Sequence, residues 1–190
     1  MSFRTFKSQF IELFGDAENN SHNYPVVCLA EIADEFFAGG DKPSDVSEVI
    51  SDEYCYPVYA NGTENEGLQC YAKTFRVEKP AVTVSARGTI GYTFVRNSKF
   101  TPIVRLITIV PNSTVNVMFL KYAIDNLTIE RTGTSQAQLT VPDFKKKKIV
   151  LPPIDKQDAF LRFEEQSDKS KLLIEYTVRK IRRFQYVYGS

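Results

Sequence analysis

Three cysteines, one histidine and a scatter of carboxylates are the side chains in this sequence that could do covalent, metal or acid–base chemistry. Cys28, Cys55 and Cys70 are odd in number, widely spaced and without a C-x-x-C pair, which disfavours a disulfide framework and a zinc site. They fit a reducing cytoplasm. A Ser/His or Cys/His nucleophilic pair would have to use His22, which lies in the polar stretch Glu18-Asn-Asn-Ser-His22, and no G-x-S-x-G elbow occurs. His22 therefore reads as a solvated loop residue. Asp34-Glu35 precede Phe36-Phe37 and read as a solvated edge beside core aromatics, not as a hydrolytic acid pair. Asp143-Phe-Lys145 has the letters of a metal nuclease but lacks an upstream acidic partner. The Pro-Pro in Leu151-Pro-Pro-Ile154 has apolar flanks, so it cannot hold the amine of a flipped base. Neither a P-loop nor a strand-linked G-x-G-x-x-G is present. The expectation is a chain with no catalytic residue, no metal site and no cofactor.

The elements that would position any binding residue follow from the apolar pattern. Hydrophobic residues make up 43% of the chain and charged residues 25%, enough apolar side chain for a buried core. Phe3 to Phe14 has helical spacing and is closed by Gly15-Asp16. Strands are expected at Val27–Ile32, Tyr56–Tyr59, Ala81–Ser85, Tyr92–Val95, Leu106–Val110 and Lys148–Leu151, with turns at Gly39-Gly40, Asn61-Gly62 and Gly88. A helix is expected over Val115 to Ile124, capped by Ser113 or Thr114. After Pro152-Pro153 the texture changes. Asp155 to about Tyr188 contains neither Gly nor Pro, and Phe160, Phe163, Ser167, Ser170, Ile174, Thr177, Ile181, Phe184 and Tyr188 recur in steps of three and four. That is an imperfect heptad seam with Asp155 as its N-cap, the sign of a long partner-seeking helix on the order of 50 Å. The alternative is a helix folded back on its own domain. The fold class read from this pattern is α+β: a strand-rich mixed domain over 1–154, then one long C-terminal helix over 155–190. No apolar run suits a membrane span and the first residues lack a secretory pattern, so a cytoplasmic location is expected.

Several segments, in order, resemble the specificity subunit of type I restriction–modification enzymes. Ser8-Gln-Phe-Ile-Glu-Leu-Phe-Gly-Asp16 is similar to the lead-in to a target-recognition domain. Leu29 to Ser44, with Gly39-Gly40 and Pro43-Ser44, is similar to its opening strand and exit. Tyr56-Pro-Val-Tyr-Ala-Asn-Gly62 resembles its recurrent central motif, and Thr83-Val-Ser-Ala-Arg-Gly-Thr-Ile-Gly91 resembles the strand–turn–strand that follows. Gly133-Thr-Ser-Gln-Ala-Gln-Leu139, Phe144-Lys-Lys-Lys-Lys-Ile-Val-Leu-Pro-Pro-Ile154 and Gln157 resemble the exit into its spacer helix. The resemblance implies a protein that binds double-stranded DNA and docks methyltransferase subunits, and through them restriction subunits, with no AdoMet or ATP site of its own. The family's usual subunit has two target-recognition domains and two spacer helices. The length here suits one of each, so a half-subunit acting as a homodimer is one expectation.

Read as a DNA reader, the chain places its candidates in turns. Arg87, Gly88 and Thr89 lie in the Ser85–Gly91 turn, where guanidinium and backbone could approach DNA together; the alternative for Arg87 is a surface ion pair. Tyr59 and Asn61 offer an amide for adenine, or plain Asn-Gly turn chemistry. Thr134, Ser135 and Gln136 could touch phosphate or base, or simply form a loop. Lys42 with Ser44, Arg96 and Lys99 complete the candidate contacts. The net charge is +1, so a polyanion would have to meet a local patch. Lys145 to Lys148 is either such a patch or a solvated turn guarding a strand edge. Phe160, Phe163, Ile174, Ile181 and Phe184 are the candidate partner-helix contacts. A second function class stays open: a non-enzymatic interaction module that dimerises through its long helix.

Overall fold

The computed structural model describes residues 6–129, 138–166 and 169. The centre of the fold is an antiparallel sheet made by β2 (Ala33–Ala38), β9 (Ile107–Pro111), β6 (Ala81–Val84) and β7 (Thr93–Arg96), in that spatial order. All four residues of β6 are buried, and so are the four of β9 from Ile107 to Val110, so both faces of the sheet are covered at its centre. Side-chain alternation divides the faces. Val82, Val84, Ile107 and Ile109 meet α1 (Phe6–Phe14) and α2 (Val117–Asp125) in the main core, with Phe10, Phe14, Phe119 and Leu120. Ala81 and Val110 turn the other way and pack with Val77, Phe100, Phe37 and Tyr59.

That second face carries a smaller sheet, β3 (Val46–Ser47), β5 (Leu68–Ala72), β4 (Tyr56–Tyr59) and β8 (Thr101–Pro102), in which β4 and β8 run parallel. Its own buried apolar cluster is small: Val58, Cys70, Ala72 and Ile103. Little area is removed from water there, so the hydrophobic contribution is modest. A third, two-stranded sheet joins β1 (Val26–Cys28) to β10 (Lys148–Val150) and brings the two ends of the domain together.

The expected strand at Val27–Ile32 is cut short. Glu31 accepts a hydrogen bond from the Cys28 backbone N–H at 2.7 Å, and Leu29–Ile32 forms a 3-10 turn that carries the chain from β1 to β2. The cap of α2 is Asn116, whose side chain accepts from the Met118 N–H at 2.9 Å, and not Ser113 or Thr114. Thr114 is engaged instead by Asn112 Oδ1, which accepts from its N–H and its hydroxyl. The short helix α3 (Val141–Lys145) and strands β3, β5 and β8 lie outside the elements read from periodicity.

A fourth helix, α4, runs over 154–166. Its first turn donates to the Pro153 carbonyl from Lys156 and Gln157, so Asp155 stands inside the helix and not at its cap. A carboxylate there still favours the helix through its dipole. The opening turns fold back on their own domain. Gln157, Phe160 and Glu164 are buried, and the Phe160 ring sits 5.6 Å from Phe10, 5.3 Å from Phe14 and 6.1 Å from Tyr122. Phe160 is therefore a core residue and not a partner contact, which corrects the seam assignment. Phe163, by contrast, is 55% exposed. Ile174, Ile181 and Phe184 lie outside the described residues.

Candidate nucleic-acid interface

Two tight turns and one side-chain amide build the site. The first turn follows β6, where Gly91 donates to the Ser85 carbonyl at 2.9 Å and closes a loop carrying Arg87, Gly88 and Thr89, all exposed. Gly88 has φ +68° with nothing within 4 Å of its Cβ position, so the tip of the loop is open. Arg87 Nη2 donates to Gln138 Oε1 at 3.1 Å. That is a neutral partner, so the guanidinium charge is not cancelled by the contact.

Asn61 stands at the end of β4 with both ends of its amide engaged. Its Oδ1 accepts from the Ala86 N–H at 2.7 Å and its Nδ2 donates to the Val104 carbonyl at 2.7 Å. A bidentate contact to adenine would need the same two atoms, so the base-reading role considered for Asn61 is corrected to a structural one. Ala86 is joined on its other side by the Leu139 N–H, at 3.0 Å.

The second turn is the one Asn61 reaches. Between β8 and β9 the chain reverses through Val104 and Arg105, at φ +51° and +62°. Leu106 N–H donates to the Ile103 carbonyl at 3.1 Å, while Val104 and Arg105 donate to the Gly40 and Gly39 carbonyls at 2.8 and 3.0 Å. Consecutive left-handed residues suit Asn-Gly; a β-branched residue there costs on the order of 1–3 kcal/mol. Gly39 permits the arrangement, because a Cβ on it would lie 2.6 Å from the Pro102 carbonyl carbon. Val104 and Arg105 are both exposed. Arg105 and Gln138 line a cleft of about 250 Å³ with Ala38 and Thr140.

The remaining candidates separate clearly. Arg96 is 4% exposed and faces inward. Its guanidinium lies 3.6 Å over the Tyr59 ring, donates to Thr83 Oγ1 at 3.1 Å and Glu66 Oε2 at 3.0 Å, and also reaches the Glu66 carbonyl. Burial pulls its pKa below the ordinary arginine value, opposed by Tyr59 and Glu66, yet an arginine so paired stays charged. Arg96 cannot serve a phosphate. It bolts β7 to the β4–β5 turn across the thinly packed second sheet, and Tyr59 is half-buried beneath it. Lys99 is held by Glu78 at 2.7 Å over the Phe75 ring, and that carboxylate raises the lysine pKa. Lys42 and Ser44 are exposed in the loop after Gly40. Thr134, Ser135 and Gln136 lie outside the described residues. The Lys145–Lys148 run is divided: Lys145 closes α3 near the Phe36 ring, Lys147 reaches the Thr128 carbonyl at 3.4 Å, and Lys148 begins β10. His22 contacts the Glu12 carbonyl at 2.9 Å and stacks on Tyr24.

Residues 22–180 match the family model of the type I restriction modification DNA specificity domain. The chain belongs to this family. Two putative type I specificity subunits of Mycoplasma pneumoniae are similar to it, one 41% identical over 68% of this chain and 38% of its own length. The other is 34% identical over 76% of this chain and 40% of its own length. This chain thus spans about two fifths of those relatives. Among solved structures, the HsdS subunit from Thermoanaerobacter tengcongensis superposes with TM-score 0.67 at 18% identity, over 90% of this chain and 44% of that one. The S subunit of a type I restriction–modification system from M. genitalium superposes with TM-score 0.61 at 18% identity, over 90% and 50%. At that identity the likeness establishes a shared fold.

Within the specificity domain, the Val104–Arg105 turn is not marked in the sequence. The available signal was weak: Val104-Arg105 has no Gly, Asn or Pro, so nothing in its letters marks a turn. Among the described residues, no helix is long and apolar enough to cross a membrane, and no group of three His, Cys, Asp or Glu residues is disposed to hold a metal.

Proposed function

We propose that this chain is a DNA-reading half of a type I specificity subunit. It recognises one part of a duplex target and docks methyltransferase subunits, and through them restriction subunits, without catalysing a reaction itself. The observation that carries this reading is the match to the specificity-domain model over residues 22–180. Arg87 supports it: it is exposed on a glycine turn and has no carboxylate partner among the described residues. In this reading residues 1–154 form the recognition domain and 155–190 the spacer helix, rooted in the domain by Gln157 and Phe160. A second recognition domain with its own helix, running antiparallel to this one, supplies the other half. The cytoplasm is the location that suits such a protein.

Co-expression with methyltransferase subunits, followed by mapping of methylated sites, tests the reading and yields the target. On that target Arg87→Ala should weaken binding by about 1–3 kcal/mol if the guanidinium reads a base bidentately. A phosphate contact would instead weaken all sequences alike and lower the salt slope by about one unit. A folded Arg87→Ala protein with unchanged affinity and slope would remove Arg87 from the interface. The exposed Phe163 also favours a plainer reading, an interaction module that pairs through its helix. Absence of any salt-dependent DNA binding, with intact dimers, would favour that reading.

A further inference from the structure

We propose that Arg105 is a second DNA-contacting cation, presented by the left-handed Val104–Arg105 turn to a phosphate of the same duplex that Arg87 meets. This rests on the DNA-reading function proposed above. Two observations bring the turns that carry the two guanidiniums together. Asn61 binds the root of both turns with one amide, through Ala86 N–H and the Val104 carbonyl, each at 2.7 Å. The two hydrogen-bonded atoms flank a single side-chain carboxamide, so the turns emerge side by side. Gln138 stands near both turns: it accepts from Arg87 and lines the same cleft as Arg105.

Charge and strain support a ligand. The cations Arg96, Lys73, Lys79, Lys99 and Lys121 each face a carboxylate; among the described residues none pairs with Arg87 or Arg105, a state they share with Lys42, Arg76 and Lys148. Two guanidiniums on turns joined by one amide, with no carboxylate partner among the described residues, add positive charge locally on a chain with a formal charge of only +1. The turn also holds Val104 and Arg105 at φ values that favour glycine or asparagine. A strained backbone with exposed side chains, braced by Asn61 and by the Gly39 and Gly40 carbonyls, is the construction expected where a side chain has to be held out in one direction. Asn61 is then a positioning residue: it fixes the distance between the two charges and touches no base.

The test uses the full chain, a labelled mixed-sequence duplex and a salt series. Neutralising one phosphate contact changes the slope of log K against log salt by about 0.9. Arg105→Ala should therefore flatten the slope by about one unit, and Arg105→Lys should restore it. Arg105→Gly should lose the same unit while its thermal midpoint stays level or rises, because glycine relieves the left-handed conformation. Asn61→Ala combined with Arg105→Ala should lose less than the sum of the two single losses, since the positioning residue acts through the cation. Wild-type binding with an unchanged slope and affinity in Arg105→Ala would overturn this proposal and leave the DNA-reading function standing. Lost affinity with an unchanged slope would overturn the phosphate contact. Failure of the wild type to bind the duplex in any salt-dependent way would overturn both.

Discussion

Replacing Gln157 by alanine should be among the most damaging single changes in this protein, and the structure says by how much. Gln157 is fully buried at the root of α4. Its Oε1 accepts from the Asn116 N–H at 2.9 Å, and its Nε2 donates to the carbonyls of Pro152 at 2.8 Å and Thr114 at 3.1 Å. Truncation strands three backbone groups. The Pro152 carbonyl is the buried one and carries a desolvation cost of about 1–3 kcal/mol; the other two are partly reachable by water and cost about 0.5–1.5 kcal/mol each. The sum is about 2–6 kcal/mol, or a fall in Tm of roughly 4–24 °C at about 2–4 °C per kcal/mol for a chain of this size. Urea unfolding at fixed pH measures it as a shift in midpoint at constant m-value. Gln157→Glu adds a second readout. A carboxylate can still accept from Asn116 but faces two carbonyls with no proton to give, so its folded pKa must lie above the unfolded value of about 4.3. The unfolded state then releases its proton first, so the variant loses stability as the pH rises from about 4 towards the folded pKa and changes little above it. A loss below about 1 kcal/mol for Gln157→Ala, or a pH-independent Gln157→Glu, would refute the view that this amide anchors the helix.

Other outcomes are equally specific. Arg96→Ala should destabilise by about 3 kcal/mol or more, from lost charge-assisted hydrogen bonds and the Tyr59 stack, and should not act through DNA affinity once the protein is folded; calorimetry and the salt slope of binding, measured at a temperature where the variant is native, separate the two. Phe160 and Phe163 should behave oppositely although both fall on the same heptad seam. Phe160→Ala removes a ring from the aromatic cluster and should cost about 3–5 kcal/mol by denaturant melting. Phe163→Asp should leave stability within about 0.5 kcal/mol and weaken self-association or co-purification with a methyltransferase subunit, as read by sedimentation.

What the sequence determined by itself is local. Tyr56–Tyr59 is a strand as read from its letters, and β6, β7, β9 and β10 lie within a residue or two of their expected places, because β-branched and aromatic runs between turn residues leave few alternatives. The ordered motifs over about Ser8 to Leu172 were enough to indicate the family, which the match over residues 22–180 then established. The sequence could not say which polar side chains face solvent. Asn61 and Arg96 carry the same letters as base-reading and phosphate-binding residues, yet one is spent joining two turns and the other joins two sheets. Those assignments depend on partners 25 to 43 positions away for Asn61 and 13 to 37 for Arg96. No local pattern encodes such distances. The same holds for Phe160, which a heptad count assigns to a partner and tertiary packing assigns to Phe10 and Phe14. Arg105 is the converse case: its turn exists only because Gly39, Gly40 and Asn61, all distant in the chain, hold an ill-suited dipeptide in place. Periodicity reports the environment averaged along an element. Only the closed fold decides which hydrogen-bonding groups are already used and which remain to meet a ligand.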